Sequence, residues 1–205
     1  MPFSLSFAAV IFDIGGVLEI TPPTGWERRW AGELGLTVDD LEQRLVPLWT
    51  PGETGGTTLE LIERETAEVL GLDDGQVRRL MSDIWAEYLG TLNEPLAEYF
   101  AGLRPAYRTG ILSNSFVGAR ERERAAYGLE DLCDVIVYSH EVGVSKPDSR
   151  AYQLVCDQLA VRPHEALFLD DKQMHVEGAE RAGLTALRFT TTEQAIADVE
   201  RHLKR

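Results

Sequence analysis

The 205-residue chain is short of the features that usually place a protein at once. It has two cysteines, Cys133 and Cys156, four histidines, and 20 Lys+Arg against 34 Asp+Glu, a formal charge of −14. Two scattered cysteines make neither a disulfide framework nor a zinc site. Both stand among apolar neighbours and read as buried free thiols, which suits a reducing cytoplasmic compartment. The deficit of positive charge sets up a repulsive mean field towards nucleic acid and anionic lipid, so neither is an expected partner. No apolar run approaches the ~20 residues of a membrane-spanning helix. The segment Met1–Phe7 lacks the basic stretch that opens a secretion signal. Core-forming residues are not lacking: 44% hydrophobic and 26% charged is an ordinary globular balance. Nothing in the sequence fixes an oligomeric state.

What is present is a rhythm of short, unbroken apolar runs. They are Ala8–Phe12, Gly110–Leu112, Val135–Tyr138, Ala166–Leu169 and, more weakly, Thr185–Phe189. Runs without alternation suit strands buried on both faces, as in a parallel sheet. Helical patterns lie between them, such as Tyr152, Leu154, Val155 and Leu159, or Val176, Ala179 and Ala182 before Gly183. Strand–helix alternation of this kind predicts an α/β protein with a doubly wound parallel sheet. The interval after Ile20 breaks the rhythm and holds no convincing strand. Val77, Leu80, Met81, Ile84, Trp85, Tyr88 and Leu89 recur at helical spacing. Leu59, Ile62, Val69 and Leu70 form a looser stripe. Leu34, Leu41, Leu45 and Leu48 suggest two shorter helices, and Thr50–Gly56 is a loop. The sequence therefore predicts a core built from residues 1–19 and 94–205, with a helical unit of residues 20–93 inserted after the first strand.

Ligands of open parallel sheets bind at the carboxyl ends of the strands. Four polar clusters fall at such ends: Asp13-Ile14-Gly15-Gly16, Ser113-Asn114-Ser115, Ser145-Lys146-Pro147 and Asp170-Asp171. Three aspartates converging on one rim would repel and raise one another's pKa unless a cation sat among them. Oxygen-only donors favour Mg²⁺. Lys146, Ser113, Asn114 and the amides near Gly16 offer donors for a phosphoryl dianion. Asp13 is then left as a nucleophile able to form an aspartyl-phosphate, splitting one hard step into two. The metal and Lys146 would offset the repulsion between the two anions.

In this order, Phe12–Leu18, Leu112-Ser113-Asn114, Lys146-Pro147 and Phe168–Asp171 resemble the four motifs of the haloacid dehalogenase (HAD) superfamily of hydrolases. Glu141–Asp148, the following Ala151-Tyr152, the double aspartate and Glu177–Ala179 are similar to the branch holding the phosphatase domain of soluble epoxide hydrolase and bacterial sugar-phosphate phosphatases. The resemblance implies a Rossmann-like core, a mobile inserted α-helical cap, and Mg²⁺-dependent hydrolysis of a small phosphomonoester such as a sugar phosphate. It implies Asp13 as nucleophile and Lys146 as its catalytic partner. Asp13, the Gly15 carbonyl, Asp170 and Asp171 would surround the metal, and Gly16, Ser113, Asn114 and Lys146 would hold the phosphoryl group.

Two positions depart from that pattern. Gly15 stands where the phosphatases carry a general acid/base aspartate, a role that contributes typically ~10²–10⁴-fold. Three readings follow. A phosphatase could use a substitute acid, with Glu19 and His175 the candidates. A metal-independent haloacid hydrolase needs no acid for a departing halide, but has no use for Asp170-Asp171. A phospho-ligand-binding protein could have kept the scaffold and lost turnover. His175 stands where relatives usually have Asp or Asn, and is expected to support the metal through a bound water as a neutral imidazole. Activity or metal affinity would then fall at mildly acidic pH. In the helical unit, Trp26, Trp30 and Trp49 read as core rather than pocket, Arg28 and Arg29 as candidate substrate contacts, and Trp49–Gly56 as a specificity loop. The run Arg120-Glu121-Arg122-Glu123-Arg124 reads as a solvated helix face.

Overall fold

A computed structural model of the chain describes residues 7–204. The segment Met1–Ser6, which carries most of the stretch read as lacking a secretion signal, lies outside the described residues. Seven strands form among the described residues: β1 (Ala9–Phe12), β2 (Glu19–Ile20), β3 (Thr91–Leu92), β4 (Arg108–Ser113), β5 (Val135–Tyr138), β6 (Ala166–Asp170) and β7 (Thr185–Arg188). All but β2 and β3 join one parallel sheet in the order β5-β4-β1-β6-β7. The chain therefore builds outward from β1 on one side, then returns to build on the other. That reversal leaves a crevice at the carboxyl end of β1.

The unbroken apolar runs are explained by what covers them. Alternate residues of a strand point to opposite faces. Val10, Phe12, Ile111, Leu167 and Leu169 pack on one face under Leu96 and Phe100 of α5 (Glu94–Ala101) and Ala195 and Val199 of α10 (Thr192–Leu203). Phe12 stacks on Phe100 with ring centroids 4.5 Å apart. Ala9, Ile11, Leu112 and Phe168 pack on the other face under Tyr152 and Val155 of α8 (Ser149–Gln158) and Ala179 of α9 (Gln173–Arg181). Each buried large side chain contributes roughly 1.5–3 kcal/mol. Cys133 and Cys156 are buried and unpaired. No described helix is long and apolar enough to cross a membrane.

Between β2 and β3 the chain makes four helices, α1 (Trp26–Leu34), α2 (Val38–Trp49), α3 (Leu59–Leu70) and α4 (Asp74–Leu89). Their starts are written locally: Thr37 and Asp40 form a capping box, Thr58 accepts from the Leu61 N–H, and Asp73 and Gln76 form a second box. Each cap is worth about 1 kcal/mol. Trp26, Trp30, Leu41, Leu45, Leu70 and Leu80 form a separate apolar cluster. Trp30 donates to Asp83 at 2.8 Å from within it. The helical unit is closed at its base by the β2–β3 ribbon, in which Glu19 faces Leu92 and Ile20 faces Thr91. These two-residue strands differ from the strandless interval expected. They come from the chain leaving and re-entering the core side by side, and a pattern of two residues carries no signal.

The Thr50–Gly56 segment is a 3₁₀ turn over Thr50–Thr54, seated on the core. The Gly52 carbonyl accepts from the Val117 N–H at 3.1 Å, and the Glu53 carbonyl accepts from the Ser139 hydroxyl at 2.7 Å. Gly55 follows at φ 72°, and a Cβ there would lie 2.1 Å from the His140 carbonyl oxygen, so the close approach requires glycine.

The charged run Arg120–Arg124 is only in part a solvated face, with Glu121 and Arg124 exposed. It lies in α6 (Ala119–Tyr127), where Glu123 is fully buried and accepts from the Tyr138 hydroxyl. Arg120 pairs with Glu141, on the short α7 (Ser139–Val142), at 2.8 Å. The Arg122 guanidinium lies 4.0 Å over the Trp85 ring. Ala119, Glu123 and Tyr127 fall at i, i+4 and i+8, which turns Glu123 onto the inward stripe.

Candidate active site

Asp13 follows β1 directly, and its N–H still donates to the Leu169 carbonyl at 3.0 Å. Its side chain is thereby fixed on the crevice between β4 and β6. Ser113 ends β4, Asp170 ends β6, and Asp171 comes next. Lys146 arrives from the loop before α8. Asn114 holds that loop: its Nδ2 donates to the Lys146 carbonyl at 2.8 Å and its Oδ1 accepts from the Lys146 N–H at 2.7 Å. Asn114 therefore positions Lys146, a task its sequence neighbourhood did not announce.

Lys146 Nζ lies 2.7 Å from Asp13 Oδ1 and 2.6 Å from Asp170 Oδ2, with its side chain fully buried. Asp13 Oδ1 also accepts from the Ile14 N–H at 2.8 Å. Asp170 Oδ1 accepts from the Lys172 N–H at 2.8 Å, and His175 Nδ1 stands 3.1 Å from both Asp170 oxygens. Every oxygen of Asp170 is thus engaged. Asp171 is different: its Oδ1 is buried with no hydrogen-bond partner among the described residues. Its Oδ2 stands where Gly16, at φ 77°, leaves room, since a Cβ on Gly16 would lie 2.7 Å away. Donor atoms of Asp13, Asp170 and His175 come within 4.8 Å of one another. A cation at their centre would sit against the Lys146 ammonium, whereas Asp171 offers an oxygen with nothing on it. His175 faces Asp170, one of the carboxylates expected around the metal.

The electrostatics follow from burial. Desolvation pushes Asp13 up to about 7, against the pull of the Lys146 ammonium and with help from Asp170. Burial acts the same way on Asp170, but the hydrogen bond from His175 and the Lys146 charge hold it well below the usual carboxylate range. Lys146 therefore completes its pair mainly with Asp170, and Asp13 is the more basic partner.

A cavity of about 390 Å³ opens over these groups, with Asp13, Ser113 and Asp171 below and Trp26, Glu87 and Tyr88 above. Gly15, Gly16, Asn114, His175 and Glu19 also line it. A neighbouring hollow of about 360 Å³ holds Trp49, Trp85 and Phe116. Trp30 is core, Trp26 serves both core and cavity, and Arg28 and Arg29 are exposed, with Arg29 donating to the Thr24 carbonyl. Glu87 and Phe116 carry no mark in the sequence, and Tyr88 reads there only as part of an apolar stripe. Tyr88 continues the apolar stripe of α4 into its last turn, where a phenol marks the edge between packing and cavity, and that signal was readable. Glu87 carried none.

The model for haloacid dehalogenase-like hydrolases matches residues 7–183. The chain belongs to this family. Among the relatives of this HAD-like hydrolase, a phosphatase of Mycobacterium tuberculosis is 32% identical over 97% of the chain and 94% of its own length. A phosphorylated carbohydrates phosphatase of Thermotoga maritima is 29% identical over 86% of the chain and 82% of its own. A HAD family enzyme of Bacteroides thetaiotaomicron, solved in complex with magnesium and inorganic phosphate, shares the fold. Its TM-score is 0.76 at 19% identity, over 90% of this chain and 95% of that one.

Proposed function

We propose that the chain is a phosphatase for a small phosphomonoester, of the sugar-phosphate class, working through an aspartyl-phosphate on Asp13 with Mg²⁺ as cofactor. One observation carries the reading. Asp13 is clamped through Oδ1 by Lys146 and the Ile14 amide, its other oxygen has no hydrogen bond among the described residues, and it lines the same cavity as Asp171, whose buried Oδ1 is also without a partner. The names of the Mycobacterium and Thermotoga relatives, and the magnesium and phosphate of the Bacteroides enzyme, point the same way.

The donors fit the cation. Asp13 Oδ2, Asp171 Oδ1 and the Gly15 carbonyl, which accepts no backbone hydrogen bond among the described residues, are hard oxygens of the kind Mg²⁺ takes. Bound there, Mg²⁺ would neutralise phosphoryl charge that otherwise repels the nucleophile. Asp170 supports from behind by holding Lys146. The Lys146 ammonium and the Ser113 hydroxyl bind phosphoryl oxygens, the amides at Gly16 add donors, and Asn114 keeps Lys146 aimed. Asp13 attacks phosphorus, and water later releases the phosphate. In this reading residues 1–19 and 94–205 are the catalytic core, and residues 20–93 are a cap that shapes the leaving-group side. The two buried free thiols suit a cytoplasmic setting. A haloacid hydrolase would explain Gly15 but leaves the Asp171 oxygen without a role.

Phosphate release is measured over sugar phosphates, nucleotides and acyl phosphates with Mg²⁺, with chelator, and with Asp13→Asn. The expected result is turnover of at least one class, lost in chelator and in the variant. Equal release by wild type and Asp13→Asn would overturn the assignment.

A further inference from the structure

We propose that Glu19 is the proton donor to the leaving oxygen, filling the part that Gly15 leaves without a side chain; this rests on the phosphatase reading above. Glu19 opens β2, and its backbone clasps the turn that carries Asp13. Its N–H donates to the Ile14 carbonyl at 2.9 Å, and its carbonyl accepts from the Gly16 N–H at 2.8 Å. The residue is 1% exposed, yet it lines the same cavity as Asp13. Its Oε1 is buried with no partner, and no cation pairs with the carboxyl among the described residues.

A carboxyl buried without a cation is held as the neutral acid, because an unpaired charge there is far costlier than a bound proton. Of the other acidic and imidazole groups nearby, three are already bonded, and the Tyr88 phenol in the same cavity is held far more weakly acidic by burial. His175 bonds Asp170, Glu87 takes two hydrogen bonds from Thr24, and Glu123 takes the Tyr138 hydroxyl. A Cβ on Gly15 would meet nothing within 4 Å, so the space between Asp13 and the cavity is open at that point.

As the Asp13 oxygen bonds to phosphorus, the bond from phosphorus to the alcohol oxygen breaks. The Glu19 proton passes to that oxygen, and the alcohol leaves with Glu19 ionised. Water then gives a proton to Glu19 while its oxygen bonds to phosphorus and the Asp13–phosphorus bond breaks, releasing phosphate. Glu19 ends protonated and Asp13 free.

The test compares wild type, Glu19→Gln and the double variant Gly15→Asp with Glu19→Gln, all with Mg²⁺, on p-nitrophenyl phosphate and on a sugar phosphate that wild type turns over. Glu19→Gln should lose on the order of 10²-fold or more on the sugar phosphate, whose alkoxide needs the proton. On the aryl ester it should show a burst of nitrophenol near one equivalent, then slow turnover, because only the water step still needs the carboxyl. Gly15→Asp should restore sugar-phosphate turnover in the Glu19→Gln background. An unchanged rate, or an equal loss on both esters without a burst, overturns the proposal. So does a loss that Gly15→Asp does not rescue, failure to fold included. A wild type inactive on every ester overturns the phosphatase reading and this one with it.

Discussion

Replacing Lys146 with methionine keeps an unbranched apolar stem and deletes one buried charge. In the native chain that ammonium touches Asp13 at 2.7 Å and Asp170 at 2.6 Å, out of contact with water. Removing one partner of a buried ion pair leaves an uncompensated charge, at a cost of ~3–5 kcal/mol. The loss depends on pH because Asp13 can take up a proton. In the metal-free chain burial raises Asp13 from 3.8 to about 7, with Lys146 pulling it down, so the variant raises it further. A carboxyl raised on folding adds stability that is complete below its unfolded value and fades as pH rises through the folded value. At pH 5 Asp13 therefore carries its proton in both proteins, and Lys146→Met leaves only the buried Asp170 charge uncompensated, at ~3–5 kcal/mol. At pH 9 Asp13 is ionised as well in the native chain, so the loss exceeds the one at pH 5. Urea unfolding in chelator at the two pH values reads the difference directly. A loss equal at both, or below ~1 kcal/mol at pH 9, would refute this account of the Lys146 pair.

Two further predictions use the same geometry. Gly16→Ala places a Cβ 2.7 Å from Asp171 Oδ2 at a φ of 77°. Beyond ~1–2 kcal/mol of backbone strain, it should displace Asp171 and weaken Mg²⁺ binding in calorimetry by about tenfold or more, ~1.4 kcal/mol; unchanged affinity would contradict the role given to Asp171. Glu123 is pushed from 4.5 up to about 7 by burial. Its contribution, complete below pH 4.5, should fade as pH rises through 7, by up to ~3 kcal/mol. Thermal or urea melts of Glu123→Gln should be flatter than wild type between pH 5 and 8, and parallel curves would contradict it.

The architecture was readable because β1 and β6 are covered on both sides, which forces unbroken apolar runs such as Ala9–Phe12 and Ala166–Leu169. The rim clusters were readable because strand ends in a parallel sheet share one edge. The division of labour within them was not. Asp170 and Asp171 are adjacent in sequence, yet one is enclosed by Lys146, His175 and the Lys172 amide while the other keeps a bare oxygen. That difference arises from where β6 ends, and no composition rule encodes it. Asn114 reads as a ligand donor, and its second task of holding the Lys146 loop is not visible in the sequence. Glu123 was hidden by the alternating charges around it, although its spacing from Ala119 and Tyr127 was visible. Gly52 and Gly55 read as part of a specificity loop, and their sequence does not show that the turn containing them is closely seated against Phe116 and His140.

The central claim is that Asp13 becomes phosphorylated. Wild type mixed with Mg²⁺ and p-nitrophenyl phosphate, acid-quenched within milliseconds and digested, should yield a peptide spanning Asp13 that carries one phosphoryl group. Dilution into unlabelled ester before the quench should chase it away. Phosphate released at full rate with Asp13 unmodified, or with the phosphoryl group on another residue, would contradict the account.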